Sequence, residues 1–412
     1  MIAASAPRLG IVVSHPIQYH APLWAALNHH PEVEIRVFFT WDNRGEAGFH
    51  DHGFQKRIQW DIPLLEGYPW EFVPNSAAHP GTHHFRGLNN PELVRRILDW
   101  QPDAVMINGY MYQSHLLALY TLAARGIPLL FRGDSHLLSP RNHVKRWLRK
   151  RVLQHLFRRC QGFLYCGTLN RDYFLHFGVP REKLYFCPHV VDNARFAADA
   201  PMRDREAAEW RLRLGIPPHH KVILFAGKFE EKKQPRMLLQ AFIQARIPDV
   251  TLLFAGDGVL KETLQNQAQS APGNVVFLPF QNQSSMPVVY RLGDLFVLPS
   301  SHDETWGLGV NEAMCCGTPV ILSDQVGCGA DLVEPGRTGW IFPARDGNAL
   351  ALLLRTAMQP DIDLQAMGHA AQVKIQAWDL PQARDGIIQA LQSLHRRTDS
   401  HGRGEPPSTL RP

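Results

Sequence analysis

Short apolar runs recur along the whole chain, separated by longer stretches whose apolar residues return every three or four positions. LGIVVS (9–14), VEIRVFF (33–39), DAVMIN (103–108), IPLLFR (127–132) and GFLYCG (162–167) read as strands. APLWAALNHH and NPELVRRILDW between them read as helices. The second half restarts the rhythm with KVILFAG (221–227), VTLLFAG (250–256), VVFLPF (275–280), LFVLPS (295–300) and PVILS (319–323). PRMLLQAFIQAR, GVLKETLQNQAQ and GVNEAMCCG are its helical stretches. Such alternation predicts βα units around parallel sheets. The expected architecture is α/β, two Rossmann-like doubly wound domains facing across a cleft, with ligands beyond the strands' carboxyl ends. Turn-rich VDNARFAADAPMRD (191–204) reads as the linker. The expected division is 1–194, 195–376, a helix over 377–396 packing back on the first domain, and a polar, disordered tail over 397–412.

Composition changes this picture little. A chain of 412 residues exceeds one ordinary core, and 45% apolar with 20% charged residues suits a soluble globular protein. No stretch approaches 18 uninterrupted apolar residues, and the N-terminal residues lack a cleavable-signal layout. Six cysteines without a Cys-x-x-Cys pair point to reduced thiols and a cytoplasmic protein. Charge is more informative. The net +5 is concentrated in residues 141–159, which hold eight Lys and Arg and no acid, so the remainder carries 35 basic against 38 acidic groups. In that segment Trp147, Leu148, Val152, Leu153, Leu156 and Phe157 fall mainly on one helical face. This is the pattern of an interfacial helix on anionic lipid, and equally of a helix whose apolar face packs on its own domain. No nucleic-acid motif accompanies it, and no nucleic-acid partner is expected.

Candidate chemistry gathers at strand ends. GKFEEKKQP (227–235) places Lys228, Lys232 and Lys233 after KVILFA, either as solvated surface or as cations for phosphate. AGDGVLKE lacks the third glycine of a dinucleotide fingerprint and reads as a turn into a helix. In HDETWGLGVNEAMCCGTPV, Glu304 falls on a loop and Glu312 in the first turn of a short helix. Gly307 and Gly309 let backbone N–H groups approach a ligand, and a helix start is an anion site. Acids favoured by the helix dipole are the structural alternative for the two glutamates. Cys315 and Cys316 read as packing. Asp361-Ile-Asp363, far from any strand end, reads as helix capping, so no metal is expected.

Residues 300–343 resemble the donor-binding block of the retaining GT-B glycosyltransferases, specifically glycosyltransferase family 4. The Glu-x7-Glu signature is matched by Glu304 and Glu312, and the run after it by Ala313-Met-Cys-Cys-Gly-Thr-Pro-Val. Lys228 and Lys233 match the family's basic pair, with Lys where Arg is usual at the first position. Residues 327–350 and the junction VDNARF (191–196) are also similar; the first half resembles the family more loosely. The resemblance implies that Glu304 touches the donor sugar and Glu312 the ribose. It implies that Gly307, Leu308 and Gly309 offer N–H groups to the diphosphate, and that Lys228 and Lys233 neutralise it. In the first half, HPIQYHAP (15–22) brings His15, Gln18, Tyr19 and His20 to the cleft on the acceptor side, or serves only as turn and cap. RGDSHL (132–137) brings Arg132, Asp134 and His136, the last matching the family's histidine near the donor sugar. Asn108, Tyr110 and Tyr112 are weaker candidates on the same rim.

The expectation is a retaining, metal-independent glycosyltransferase with Glu304, His136 and Lys233 in the chemistry. Lys228, Lys233, Gly307, Leu308, Gly309 and Glu312 would hold the donor; His15, Gln18, Tyr19, Arg132 and Asp134 would meet the acceptor. Its co-substrate is a nucleotide-diphosphate sugar and it needs no cofactor. Its acceptor is a glycan or lipid-linked glycan of cell-envelope polysaccharide synthesis, met at the inner face of the cytoplasmic membrane, peripherally through 141–159. A GT-B-fold nucleotide-sugar epimerase and a non-catalytic membrane-associated scaffold are the competing readings. The base, the sugar and the acceptor are not named by the sequence.

Overall fold

The structure, a computed structural model, describes residues 6–42, 49–51, 53–138, 143–269 and 273–402. The first half contributes β1 (Arg8–Val13), β2 (Glu34–Phe39), a hairpin of β3 (Phe49–Asp51) and β4 (Lys56–Ile58), then β5 (Trp70–Phe72), β6 (Ala104–Asn108), β7 (Leu129–Arg132), β8 (Gly162–Tyr165) and β9 (Leu184–Phe186). Hairpin aside, these form one parallel sheet ordered β5-β2-β1-β6-β7-β8-β9. The second half contributes β10 (Lys221–Lys228), β11 (Val250–Asp257), β12 (Asn274–Leu278), β13 (Leu295–Leu298), β14 (Val320–Ser323) and β15 (Gly339–Phe342). They form a second parallel sheet ordered β12-β11-β10-β13-β14-β15. The two Rossmann-like domains are therefore as expected, and all ten apolar runs are strands. Each sheet is buried on both faces, which is why its strands read as continuous apolar runs. Along β1, Leu9, Ile11 and Val13 join one core and Val12 the other.

Both sheets reverse direction beside their first strand, between β1 and β6 and between β10 and β13. The loops after β1, β10 and β13 therefore open at the topological switch points, where an α/β sheet leaves a crevice. The stretch 191–204 is not an extended linker. It forms helices Asn193–Ala197 and Ala200–Arg213, the first capped by the Asp192 carboxylate, which accepts from the Arg195 N–H. The last helix, Leu380–Gly402, packs Ala383, Ile387, Leu391 and Leu394 into the first domain's core with Ile11 and Trp24. It continues past 396 because no Gly or Pro interrupts it between Ile388 and Gly402. The rest of the expected tail, 403–412, lies outside the described residues, as do residues 141–142 of the basic segment. Asp363 caps the helix Leu364–Ile375, accepting from the Ala366 N–H. Among the described residues no helix is long and apolar enough to cross a membrane.

Candidate active site

A cavity of about 570 Å³ opens between the carboxyl ends of the two sheets. Its walls include His15, Gln18, Tyr19, His20, Asp134 and His189 from the first domain. Lys228, Lys233, Glu304, Gly307, Leu308, Gly309 and Glu312 face them from the second.

At its centre the Lys233 ammonium lies 2.5 Å from Glu304 Oε2. The Ser300 hydroxyl donates to the same oxygen at 2.9 Å. Burial pushes the Glu304 carboxyl up, but the Lys233 charge and these hydrogen bonds outweigh it and hold it below its ordinary value. Lys233 arrives on a single 3-10 turn, Glu231–Lys233, tied to the β13 loop by the Ser301 N–H donating to the Lys232 carbonyl at 2.7 Å. Pro235 then opens the next helix.

Helix Leu308–Cys315 starts beside this pair. Its N-cap, Gly307, is left-handed (φ 97°), and no side chain caps the helix. A Cβ there would sit 2.9 Å from a Val326 methyl carbon, so glycine is required on both counts. The first backbone N–H groups are left for an anion from the cavity. Glu312 lies one turn deeper than expected, so it is not a dipole-favoured first-turn acid. It is 3% exposed; Oε2 accepts from the Tyr290 hydroxyl at 2.6 Å and Oε1 is buried without a hydrogen-bond donor. Burial pushes its carboxyl up to about 7, against the opposing pull of Tyr290, Arg195 and Tyr19. An acceptor oxygen held dry and unsatisfied suits a ligand hydroxyl. Cys315 is buried, and Cys316 takes an Arg291 N–H at 3.0 Å; both are packing residues.

Across the cleft, burial pushes the His15 imidazole down to about 4, so it is neutral near pH 7. Its Nδ1 bonds the Ser14 hydroxyl at 3.0 Å. Asp134 accepts from the Thr305 hydroxyl at 2.8 Å, and its Oδ2 lies 3.7 Å from His189 Nε2. Burial pushes the Asp134 carboxyl up, but His189 and Thr305 outweigh it and hold it low. His136 is buried beside the Glu304 backbone, with Nδ1 accepting from the Leu138 N–H at 3.3 Å, and does not line the cavity. Arg132 does not line it either. Its guanidinium donates to the Cys187 and Pro188 carbonyls, both at 3.2 Å, and to Cys187 Sγ. A buried guanidinium needs such acceptors, so instead of facing an acceptor Arg132 braces the backbone that carries His189. Asn108, Tyr110 and Tyr112 stay off the cavity wall; the Tyr110 hydroxyl meets that of Tyr173 at 3.3 Å.

Sequence reasoning missed His189 and the strap 49–61. His189 follows β9, whose three residues gave no strand signal; its position just before the VDN junction was the available hint. From the strap, Asp51 lies 2.9 Å from the Lys228 ammonium. Phe54 packs edge-on against Phe280 at 4.8 Å, and Lys56 pairs with Asp257 at 3.0 Å. Asp61 accepts from the Ser284 N–H at 3.0 Å. Lys228, expected to face a diphosphate, is thus already paired.

Residues 206–374 match the family described as "Glycosyl transferases group 1", and 23–189 that described as "Glycosyl transferase 4-like domain". A D-inositol 3-phosphate glycosyltransferase of Rhodococcus jostii (strain RHA1) is 31% identical over 248 residues, 58% of this chain and 52% of that protein. One of Salinispora arenicola (strain CNS-205) is 33% identical over 191 residues, 43% and 42% of the two chains. The chain spans about half the length of the curated relatives it matches. Among solved structures, Anabaena Alr3699/HepE in complex with UDP superposes with a TM-score of 0.71 at 20% identity, covering 94% of this chain and 100% of that one. WaaG, a glycosyltransferase involved in lipopolysaccharide biosynthesis, gives 0.63 at 15% identity, covering 92% and 98%. Both share the fold.

Proposed function

The chain belongs to the group 1 glycosyltransferases of GT-B fold, and from that premise we propose that it transfers a sugar, with retention, from a nucleotide-diphosphate sugar to an acceptor hydroxyl. The observation that carries this reading is the convergence of Lys233, Glu304, Glu312 and the uncapped start of helix Leu308–Cys315 on one interdomain cavity. In this reading the N–H groups of Leu308 and Gly309, with Lys233 and Lys228, receive the diphosphate. Glu312 Oε1 accepts a ribose hydroxyl, and Glu304 bonds sugar hydroxyls near the anomeric carbon. The anomeric C–O bond to phosphate breaks, its electron pair leaving with the diphosphate. The acceptor oxygen attacks the oxocarbenium-like carbon from the same face and gives its proton to the departing phosphate oxygen. The ammonium and the helix start supply the positive charge that the leaving group needs, without a metal. Asp134, Tyr19, Gln18 and neutral His15 present hydrogen-bonding groups to the acceptor. His136, set behind Glu304, would keep that loop in place. The UDP held by the Anabaena protein supports a nucleoside diphosphate as the leaving group.

The acceptor in this reading is a lipid-linked or cell-envelope glycan met at an anionic membrane face. Helix His143–Phe157 supports it: Leu153, Leu156 and Phe157 are buried, while Trp147, Leu148 and Val152 stay exposed beside Lys150 and Arg151. Its apolar residues therefore divide between core and surface, and do not share one buried face. Thermal shift against a panel of nucleotide sugars tests the donor assignment. A rise in Tm with at least one of them, absent in Glu312→Ala, is expected; no shift with any would overturn it.

A further inference from the structure

We propose that His219, His220 and Asp249 form a binding site for a divalent transition metal, with zinc the leading candidate. It lies at the end of the second sheet away from the cavity. His219 and His220 precede β10 and Asp249 precedes β11, whereas Gly227 and Lys228 reach the cavity from the other end of β10. Seven steps of strand separate the two ends, roughly 23 Å. The expectation that no metal assists the diphosphate concerns the cavity and is untouched by this site.

Three features build it. His219 Nε2 lies 3.4 Å and His220 Nε2 3.9 Å from the same oxygen, Asp249 Oδ1. The three ligand atoms all lie within 4.8 Å of one another. Bonds of about 2.0–2.2 Å in a tetrahedral zinc site put neighbouring ligand atoms roughly 3.3 Å apart. One edge is therefore already at that spacing, and rotation of exposed side chains closes the others. The two ligand segments are also locked together. The Lys221 N–H donates to the Asp249 carbonyl at 3.0 Å, and Asp249 holds a left-handed backbone (φ 54°) at the turn into β11. Finally, His220 Nδ1 lies 3.0 Å from the hydroxyl of fully buried Thr251, which also receives the Asn274 amide at 2.9 Å. That contact aims Nε2 outward. Metal on Nε2 selects the tautomer in which Nδ1–H donates to Thr251, the usual support behind a ligating histidine. Two imidazoles and one carboxylate suit zinc, cobalt, nickel or copper, and not calcium or magnesium. Water fills the open position. Bound metal would clamp the first residues of β10 and β11 and stabilise the folded second domain.

The test uses the full chain stripped with chelator, titrated with Zn²⁺ by calorimetry and with Co²⁺ by visible absorption. One saturable equivalent and a raised Tm are expected. His219→Ala and Asp249→Asn change side chains that are two-thirds exposed. They should leave the metal-free Tm unchanged and weaken this binding at least tenfold. Thr251→Val should weaken it by about 10–100-fold as a positioning residue. No saturable binding, or equal affinity in the His219→Ala/His220→Ala double variant, would overturn the site and leave two histidines that merely neighbour a surface carboxylate.

Discussion

Lys233 and Glu304 each offset the burial of the other, with side chains only 18% and 12% exposed. Lys233→Ala strands a carboxylate, so it should destabilise the fold by about 3 kcal/mol. Adding Glu304→Gln should restore more than half of that in urea unfolding; a merely additive loss would contradict the pairing. Glu312 makes a pH prediction. Its folded carboxyl holds a proton up to about 7 where the ordinary value is 4.5. In that window the folded state binds more protons than the unfolded one, so stability falls as pH rises. The contribution is complete below about 4.5 and gone once pH has risen through about 7. Glu312→Gln should flatten that slope in Tm against pH. The two glutamates were legible because their spacing and glycines form a motif. Arg132 was misread, because a sequence shows that an arginine stands at a strand end but not which carbonyls will claim it.

At the scale of elements, the strap that carries Asp51, Phe54 and Lys56 joins the first domain to the second through Asp51–Lys228, Lys56–Asp257 and Phe54–Phe280. Burial pushes the Asp51 carboxyl up, but Lys228 and backbone N–H groups outweigh it and hold it low, so it stays ionised on the ammonium. Asp51→Asn should release Lys228 and tighten nucleoside diphosphate binding by up to about fivefold at low salt, an effect that salt erases. Calorimetry with UDP and GDP measures it. This strap was illegible because β3 and β4 are three residues each, too short for a period. The ten longer runs, buried on both faces, could hardly be missed. The helix His143–Phe157 shows the same limit. Its charge was legible, but Arg149 donates to the Tyr173 hydroxyl at 2.9 Å and lies over the Phe177 ring. A charge test that includes Arg149 would disturb the core. Trp147→Ser with Lys150→Glu and Arg151→Glu should instead abolish sedimentation with anionic liposomes while sparing Tm; unchanged sedimentation leaves the helix a packing element.

At the scale of the whole molecule, the two sheets meet switch point to switch point, and polar contacts join the domains beside the Phe54–Phe280 pair. Asp331 of the second domain accepts from the Thr168 N–H at 2.9 Å and its hydroxyl at 2.7 Å, at the start of helix Thr168–His176. Asn311 donates to the His189 carbonyl at 3.1 Å, and Thr305 to Asp134. The repeat of βα units made two domains and a cleft legible. These cross-domain partners were not, since each joins residues more than a hundred positions apart. Because the cavity draws on both domains, binding and turnover should fail together when its charged centre is removed. The most direct measurement is release of nucleoside diphosphate from a panel of nucleotide sugars, by wild type and by Lys233→Ala. At least one sugar nucleotide should be consumed by the wild type, with the variant slower by about a hundredfold or more. A wild-type protein that consumes none, or a variant that consumes them as fast, would contradict the account.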